Sequence, residues 1–317
     1  MCSFFFPSPS PSPSRSSCQP RTGRPWRPTS TSPEGEGPWP TVLVRTPYGK
    51  GGLGDLGDVF NTYGAVLVTQ DVRGRFESDG IDTVFQDAGR DGVATIDWIT
   101  EQDWSDGEVG MYGGSALAIT QYLVAPEAPE GLRVILAMAG TGDLYEDVYF
   151  PQGTFREAMA TGWLTQQGSI GWLDEIFEHP YRDTWWEPLE ADHSAVVADG
   201  VHIGGWYDIF RDGTIEAWQE QSLGPGEHWL IVGPWTHGGF GSQQQGELTY
   251  PADAVDSPTP MTHVMLRALF DALGLEGLDS PDAIPRVQYF VMGDPEAETG
   301  NFWREADSWP PEATESC

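Results

Sequence analysis

From residue 34 onward the chain alternates compact apolar runs with amphipathic ones, and that rhythm limits the fold more than any other feature. T-V-L-V-R-T at 41–46 and A-V-L-V-T at 65–69 are bounded by turn residues, the pattern of strands buried on both faces. The spacing of Val93, Ile96, Asp97 and Trp98 predicts a helix over 86–101. A strand over 108–112, an apolar helix over 115–124 and a strand over 132–137 follow. The rhythm resumes with a strand at 201–206, a helix at 214–221, a strand at 228–232, a helix at 261–273 and a strand at 287–292. Strands separated by helices require crossover connections, so the expected class is α/β with a mainly parallel sheet. The core divides into 34–143 and 201–293. Between them, 144–200 lacks a period but is dense in aromatics, from Tyr145 to Trp186, and is expected to form a short helical cap over one end of the sheet.

The ends of the chain read differently. Residues 7–33 are rich in Pro, Ser, Thr and Arg without a hydrophobic period, and 1–33 is expected to be disordered. Cys2, Cys18 and Cys317 lie in the terminal segments and imply neither a disulfide framework nor a Cys-based metal site. No signal-peptide core and no membrane-length apolar run is present, so a cytoplasmic location is expected. Sixteen Lys and Arg against 48 Asp and Glu leave a net charge of -32. That charge repels nucleic acid and anionic membranes, leaving a small-molecule or short-peptide substrate as the expected partner. Lys50 is the only lysine, every other cation being arginine. Such a surface suits a halophilic, haloarchaeal-type source, where salt screens the repulsion between carboxylates.

The residues that carry chemistry stand at strand ends. After the strand at 108–112 comes G-G-S-A-L-A at 113–118, a serine between a strand and a helix with glycine two residues before it. This is a nucleophile-elbow arrangement, although Leu117 replaces the second glycine of the usual pattern. Two further strands end in G-G-W-Y-D at 204–208 and G-P-W-T-H at 233–237, which places Asp208 and His237 at equivalent positions. In open α/β sheets such positions converge on one crevice. Hydroxyl, carboxylate and imidazole in the order Ser115, Asp208, His237 match an α/β-hydrolase triad, a chemistry that needs no cofactor or metal. Trp206 and Trp235, beside the triad residues, are expected to line an acyl pocket. Ser169 and Ser242 follow glycine but no strand, and Asp212 is the alternative acid. His179, His193, His202, His228 and His263 have no metal-ligand spacing and read as surface or packing residues. Asp71, Arg73 and Glu77 are expected to form an ion-pair cluster beside the site.

Over about 34–310 the chain resembles the serine hydrolases that include the X-Pro dipeptidyl-peptidases, cocaine esterase and acylases acting on cephalosporin side chains. The resemblance rests on R-T-P-Y at 45–48, Q-D-V-R-G-R-F-E-S-D-G at 70–80, D-W-S-D-G-E-V-G-M-Y-G-G-S at 103–115, G-W-Y-D at 205–208 and G-P-W-T-H at 233–237. It implies an α/β-hydrolase fold with Ser115 as nucleophile and Asp208 and His237 completing the triad. It also implies an oxyanion hole made by the Tyr48 hydroxyl and the N–H of Ala116. Two positions depart from the family pattern: Ala116 stands where Tyr is common, and Ala118 where Gly is usual, a methyl expected to crowd the approach of helix and strand.

The resemblance also frames the ends. Relatives carry a first strand where this chain has residues 21–33, which we read as a shifted frame near Pro33; an unbroken frame on resequencing would overturn that reading. Relatives continue past W-P-P at 309–311 into a jelly-roll domain, so 294–317 is expected to be the stub of an absent sandwich, and surfaces left uncovered are expected to self-associate. Two functions follow: a serine hydrolase acting on esters, amides or X-Pro peptides, or a decayed, non-catalytic fragment. The charge sets a measurable expectation. Thermal melts should show Tm rising from dilute buffer to molar KCl, and a Tm that stays level would dismiss the halophilic reading.

Overall fold

Val42 and Val44 face one side of their strand and Leu43 the other, yet all three are fully buried. A strand covered on both faces has to lie inside a layered sheet. The structure is a computed structural model describing residues 28–275, 284–296 and 299–311, together with the backbone of Arg15 and Ser16. Expectations for the rest of 1–27, for Cys2, Cys18 and Cys317, and for 312–317 lie outside the described residues.

The main sheet contains β1 (Arg15–Ser16), β2 (Pro28–Thr31), β3 (Trp39–Thr46), β4 (Val66–Asp71), β5 (Ser105–Gly114), β6 (Leu132–Met138), β7 (Asp199–Tyr207) and β8 (His228–Thr236). A small hairpin, β9 (Gln244–Gln245) and β10 (Leu248–Thr249), stands apart, and β11 (Val287–Val291) and β12 (Phe302–Ala306) complete the main sheet. The strand order is β1-β2-β4-β3-β5-β6-β7-β8-β11-β12, and every pairing from β4 across to β11 is parallel. The chain steps outward from β3 to β4, then returns over β3 to reach β5. This reversal opens a crevice at the C-terminal ends of β3 and β5.

Helices α1 (Gly54–Thr62), α2 (Ala88–Thr100), α3 (Ala116–Tyr122), α6 (Arg211–Gln221) and α7 (Met261–Leu273) cover the two faces, while α4 (Glu157–Gln167) and α5 (Trp172–Glu178) lie in the cap. Phe60 of α1 and Val264 and Leu269 of α7 pack with Val42, Val44, Leu136 and Ile203. Across the sheet, Ile96 and Ile99 of α2, Tyr122 of α3 and Ala217 of α6 pack with Leu43, Val68, Met111 and Ile135. Each such aliphatic side chain contributes roughly 1.5–3 kcal/mol by leaving water. The α/β-hydrolase architecture expected from the sequence is therefore present. Among the described residues no helix is long and apolar enough to cross a membrane.

The cap carries α4, α5 and several short turns. Its aromatics form a core of their own, with Trp186 wholly buried against Tyr145 and Phe150 and joined to Ile119 of α3 and Leu123 just past its end. Two expectations about the ends need correction. Pro28–Thr31, assigned to a disordered segment, pairs antiparallel with β4, because an open strand edge supplies partners that P-T-S-T cannot find within itself. Phe302–Ala306, assigned to the stub of another domain, pairs antiparallel with β11 of the same sheet. Trp303 there packs on Trp235 and Phe290, and Trp309 of the W-P-P run packs on Trp206 and Tyr289.

Three of the histidines share a buried network. The Tyr122 hydroxyl lies 3.0 Å from His202 Nδ1, His202 Nε2 lies 3.3 Å from His228 Nδ1, and Gln221 donates to His193 Nδ1 at 2.8 Å. Burial pushes His193 and His228 down to about 4 and His202 well below its ordinary value. The folded state thus keeps these rings neutral while the unfolded chain takes up protons near pH 6.5, so stability falls as pH drops from there toward 4. Asp147 works in the opposite direction: burial raises it to about 6, and it gains a proton in the fold before the unfolded chain does. The histidine share is therefore read as a difference. Denaturant melts near pH 7 and near pH 5 should show wild type losing up to about 1.4 kcal/mol per pH unit more than His228→Gln. Parallel losses in the two proteins would show that His228 is not coupled to folding.

Candidate active site

Strand β5 ends in Gly113-Gly114, and Ser115 follows with φ 58° and ψ −126° before α3 begins. An L-residue in that region costs about 1–3 kcal/mol, and surrounding structure must hold it there. The Ser115 N–H donates to Met138 of β6 at 2.9 Å, while its carbonyl accepts from Ala118 at 2.9 Å and Ile119 at 3.0 Å. Gly113 has φ 148°, and a Cβ there would come within 2.5 Å of the Leu117 Cβ, so the elbow requires glycine at this position. The methyl of Ala118, expected to crowd its surroundings, has room: a Cβ on Gly140 would lie 2.4 Å from it, and Gly140 has none.

Asp208 lies just past β7 and His237 just past β8, which brings both to the crevice beside Ser115. His237 Nε2 is 2.9 Å from Ser115 Oγ, and Nδ1 is 2.9 Å from Asp208 Oδ2. The Asp208 side chain has no exposed surface, and its other oxygen accepts the Phe210 N–H at 2.6 Å. A carboxylate can only accept, so Nδ1 holds the imidazole proton and the Nε2 lone pair faces the serine hydroxyl. The Phe210 ring meets the imidazole edge-on at 5.4 Å and narrows its freedom to turn. Hydroxyl, imidazole and carboxylate thus stand in a line along which a proton can pass from Ser115 to His237.

Tyr48 reaches the same place from the loop after β3. Its hydroxyl accepts a hydrogen bond from Trp163 Nε1 at 3.0 Å and has Ser115 as its other polar neighbour. Burial raises the phenol above its ordinary value, with Trp163 and Ser115 pulling the other way. It therefore stays protonated and able to donate at neutral pH. Ala116, buried, opens α3, where the first backbone N–H groups have no partner within the helix.

The surrounding motifs hold Tyr48 in place. Arg45 of R-T-P-Y is 1% exposed, bonded to Gln70 at 2.7 Å and to the Ala88 carbonyl at 2.6 Å. Burial lowers it to about 10, with Asp91 opposing, so it keeps its charge. Asp71 accepts the N–H of Lys50 at 2.7 Å and of Glu77 at 3.2 Å. The expected cluster of Asp71, Arg73 and Glu77 is split: Glu77 pairs with Lys50 at 2.9 Å, whereas Arg73 turns to Asp91 and Asp87. The reason is chain direction, since β4 ends between Asp71 and Arg73 and the two side chains leave for different neighbours.

The other candidates separate clearly. Trp235 is fully buried, bonded to the Ala254 carbonyl and packed on Phe240, and Trp206 is bonded to the Phe290 carbonyl. Both rings are taken up by packing toward the β11 and β12 edge of the sheet, Trp235 against Trp303 and Trp206 against Trp309. Asp212 is exposed and paired with Arg211. Ser169 is bonded to Asp82 at 2.6 Å, and the Ser242 hydroxyl accepts the Gln244 N–H. Trp163 and Phe85 belong near the site, but no local motif in the sequence marks them; Arg75 stands inside the run at 70–80, yet its bonds to the cap have no sequence signal. Trp163 reaches the site because the cap folds back over the elbow.

Comparison with known proteins bears on the family and the fold. The family model described as X-Pro dipeptidyl-peptidase (S15 family) matches residues 24–170 and 165–239. The chain is 26% identical over 338 residues to a cocaine esterase of Rhodococcus sp. (strain MB1 Bresler), covering 88% of this chain and 56% of that protein. It is 25% identical over 337 residues to a putative serine esterase of Mycobacterium bovis, covering 80% and 50%. It thus spans about half the length of the curated relatives it matches. Among solved structures, a CocE/NonD family hydrolase from Staphylococcus aureus superposes with TM-score 0.73 at 21% identity, over 94% of this chain and 56% of that one. An α-amino acid ester hydrolase gives TM-score 0.71 at 21% identity, over 94% and 58%. At that identity the structural likeness speaks for the fold, and the sequence match carries the assignment: the chain belongs to the X-Pro dipeptidyl-peptidase (S15) family.

Proposed function

We propose that the protein is a serine hydrolase that cleaves an ester or amide bond of a small molecule or short peptide through an acyl-enzyme. The observation that carries this reading is the His237 imidazole, 2.9 Å from Ser115 Oγ on one side and 2.9 Å from the buried Asp208 carboxylate on the other. Ser115 Oγ attacks the carbonyl carbon as His237 Nε2 takes its proton, and Asp208 stabilises the resulting imidazolium. The carbonyl oxygen becomes an oxyanion facing the Tyr48 hydroxyl and the Ala116 N–H. His237 then gives its proton to the leaving alcohol or amine, whose bond to the carbonyl carbon breaks. Water attacks the acyl group with His237 again as base, and Ser115 recovers its proton as the acid departs. No step calls on a metal or cofactor.

Relatives named as esterases favour an ester as the bond cleaved, and the family description keeps X-Pro peptides within range. Activity profiling in molar salt against p-nitrophenyl esters and X-Pro anilides separates the two. A fluorophosphonate probe should label wild type and not Ser115→Ala. Absence of labelling from folded wild type would favour a non-catalytic fragment. Asp208→Asn should lower kcat by about 10⁴ through loss of the correct imidazole tautomer, measured with the ester substrate. Tyr48→Phe should cost about 100-fold in kcat, and an unchanged rate would remove Tyr48 from the oxyanion hole.

A further inference from the structure

We infer that Trp163, a residue of the cap, is a positioning residue for the oxyanion hole: its indole N–H occupies a lone pair of the Tyr48 hydroxyl and so leaves the phenolic proton directed at the reacting centre. The catalytic consequence rests on the hydrolase reading above. The geometry of the bond does not.

Donor and acceptor chemistry gives the bond its direction. An indole nitrogen can only donate, so across the 3.0 Å contact Tyr48 has to be the acceptor. At the other end, the Asp208 carboxylate can only accept, which puts the Ser115 proton on the path to His237 Nε2. Ser115 therefore presents lone pairs to Tyr48, and the phenolic proton is free for Ser115 in the resting protein and for the oxyanion during reaction. The Trp163 N–H to Tyr48 and the Ser115 O–H to His237 thus run in one sense, with Tyr48 and Ser115 adjacent between them. Without the indole the hydroxyl would lose the partner that fixes which way its proton points.

The contact is supported from both sides. Phe85, at φ 75°, stacks on the Trp163 ring at 5.6 Å with an interplanar angle of 22°. Arg75 joins the two partners: it donates to the Pro47 carbonyl, one residue before Tyr48, at 3.3 Å. It also donates to the carbonyl and the Oε1 of Gln167, one helical turn beyond Trp163. Asp82 accepts from Ser169, and its carbonyl accepts the Trp172 indole N–H, which holds the end of α4 to the same loop. The cap is thereby part of the reacting geometry as well as a cover for it.

A double-mutant cycle with an ester substrate tests the inference. Trp163→Phe keeps a ring on Phe85 and removes the N–H; kcat should fall about ten-fold, part of the full loss of an oxyanion donor, with little change in KM. In a Tyr48→Phe background the same substitution should have no further effect. Benzothienylalanine at position 163, which replaces only the N–H by sulfur, should repeat the result if Trp163→Phe folds poorly. Equal losses in both backgrounds, or no loss with Tyr48 present, would overturn the proposal. A second readout does not need turnover: in protein carrying 3-fluorotyrosine, the Tyr48 ¹⁹F resonance should titrate at higher pH in Trp163→Phe than in wild type. An unmoved titration would overturn the hydrogen bond. Wild type that neither turns over nor labels would overturn the hydrolase reading alone, and the resonance would still decide the role of Trp163.

Discussion

Ser115 is held at φ 58°, in a conformation that L-residues avoid, and most of the molecule is arranged so that it stays there. A parallel sheet fixes β5 between β3 and β6, and α3 starts directly from the strand end, so the connection has no slack. The Met138 carbonyl of β6 takes the Ser115 N–H, and two amides of α3 take its carbonyl. Relaxing the serine would break these bonds and lift Tyr122 and Ile119 out of packed positions in two different cores. Strain at one residue is opposed by the cohesion of two layers.

The same sheet explains why groups 122 residues apart meet. Asp208 and His237 stand at the ends of adjacent parallel strands, and a shift in strand register between Gly205 and Tyr207 sets the step between them. Around this centre the chain uses ionic groups sparingly and in full partnership. Arg45 is buried but has polar partners, Arg73 pairs with Asp91 of α2, and Arg75 pairs with Asp82 in the loop that leads to α2.

Much of this was legible from the sequence. The apolar runs at 41–46, 65–69, 201–206 and 228–232 read as strands because burial on both faces leaves nearly continuous hydrophobic stretches. Strand ends marked by G-G-S, W-Y-D and W-T-H carried Ser115, Asp208 and His237, since the residue after a parallel strand faces the crevice. The edges were harder. P-T-S-T at 28–31 and F-W-R-E-A at 302–306 are short, and polar residues interrupt any alternation, so the partner strand decides that they are strands. Trp206 and Trp235 illustrate the remaining difficulty: nearness in sequence to Asp208 and His237 does not say which side of the sheet a ring takes.

By itself the sequence determined the fold class, the order of the elements and the residue types at three strand ends, because hydrophobic period and turn chemistry act over a few residues at a time. Only the tertiary structure decided that Trp163 lies against Tyr48 and that Gly140 makes room for Ala118. It also decided that Arg73 leaves Asp71 for Asp91, and that Trp235 belongs to the core. Each of these depends on the packing of segments far apart in the chain, where side-chain direction and the space left by a neighbour are set by the assembled layers and have no signature in any local window.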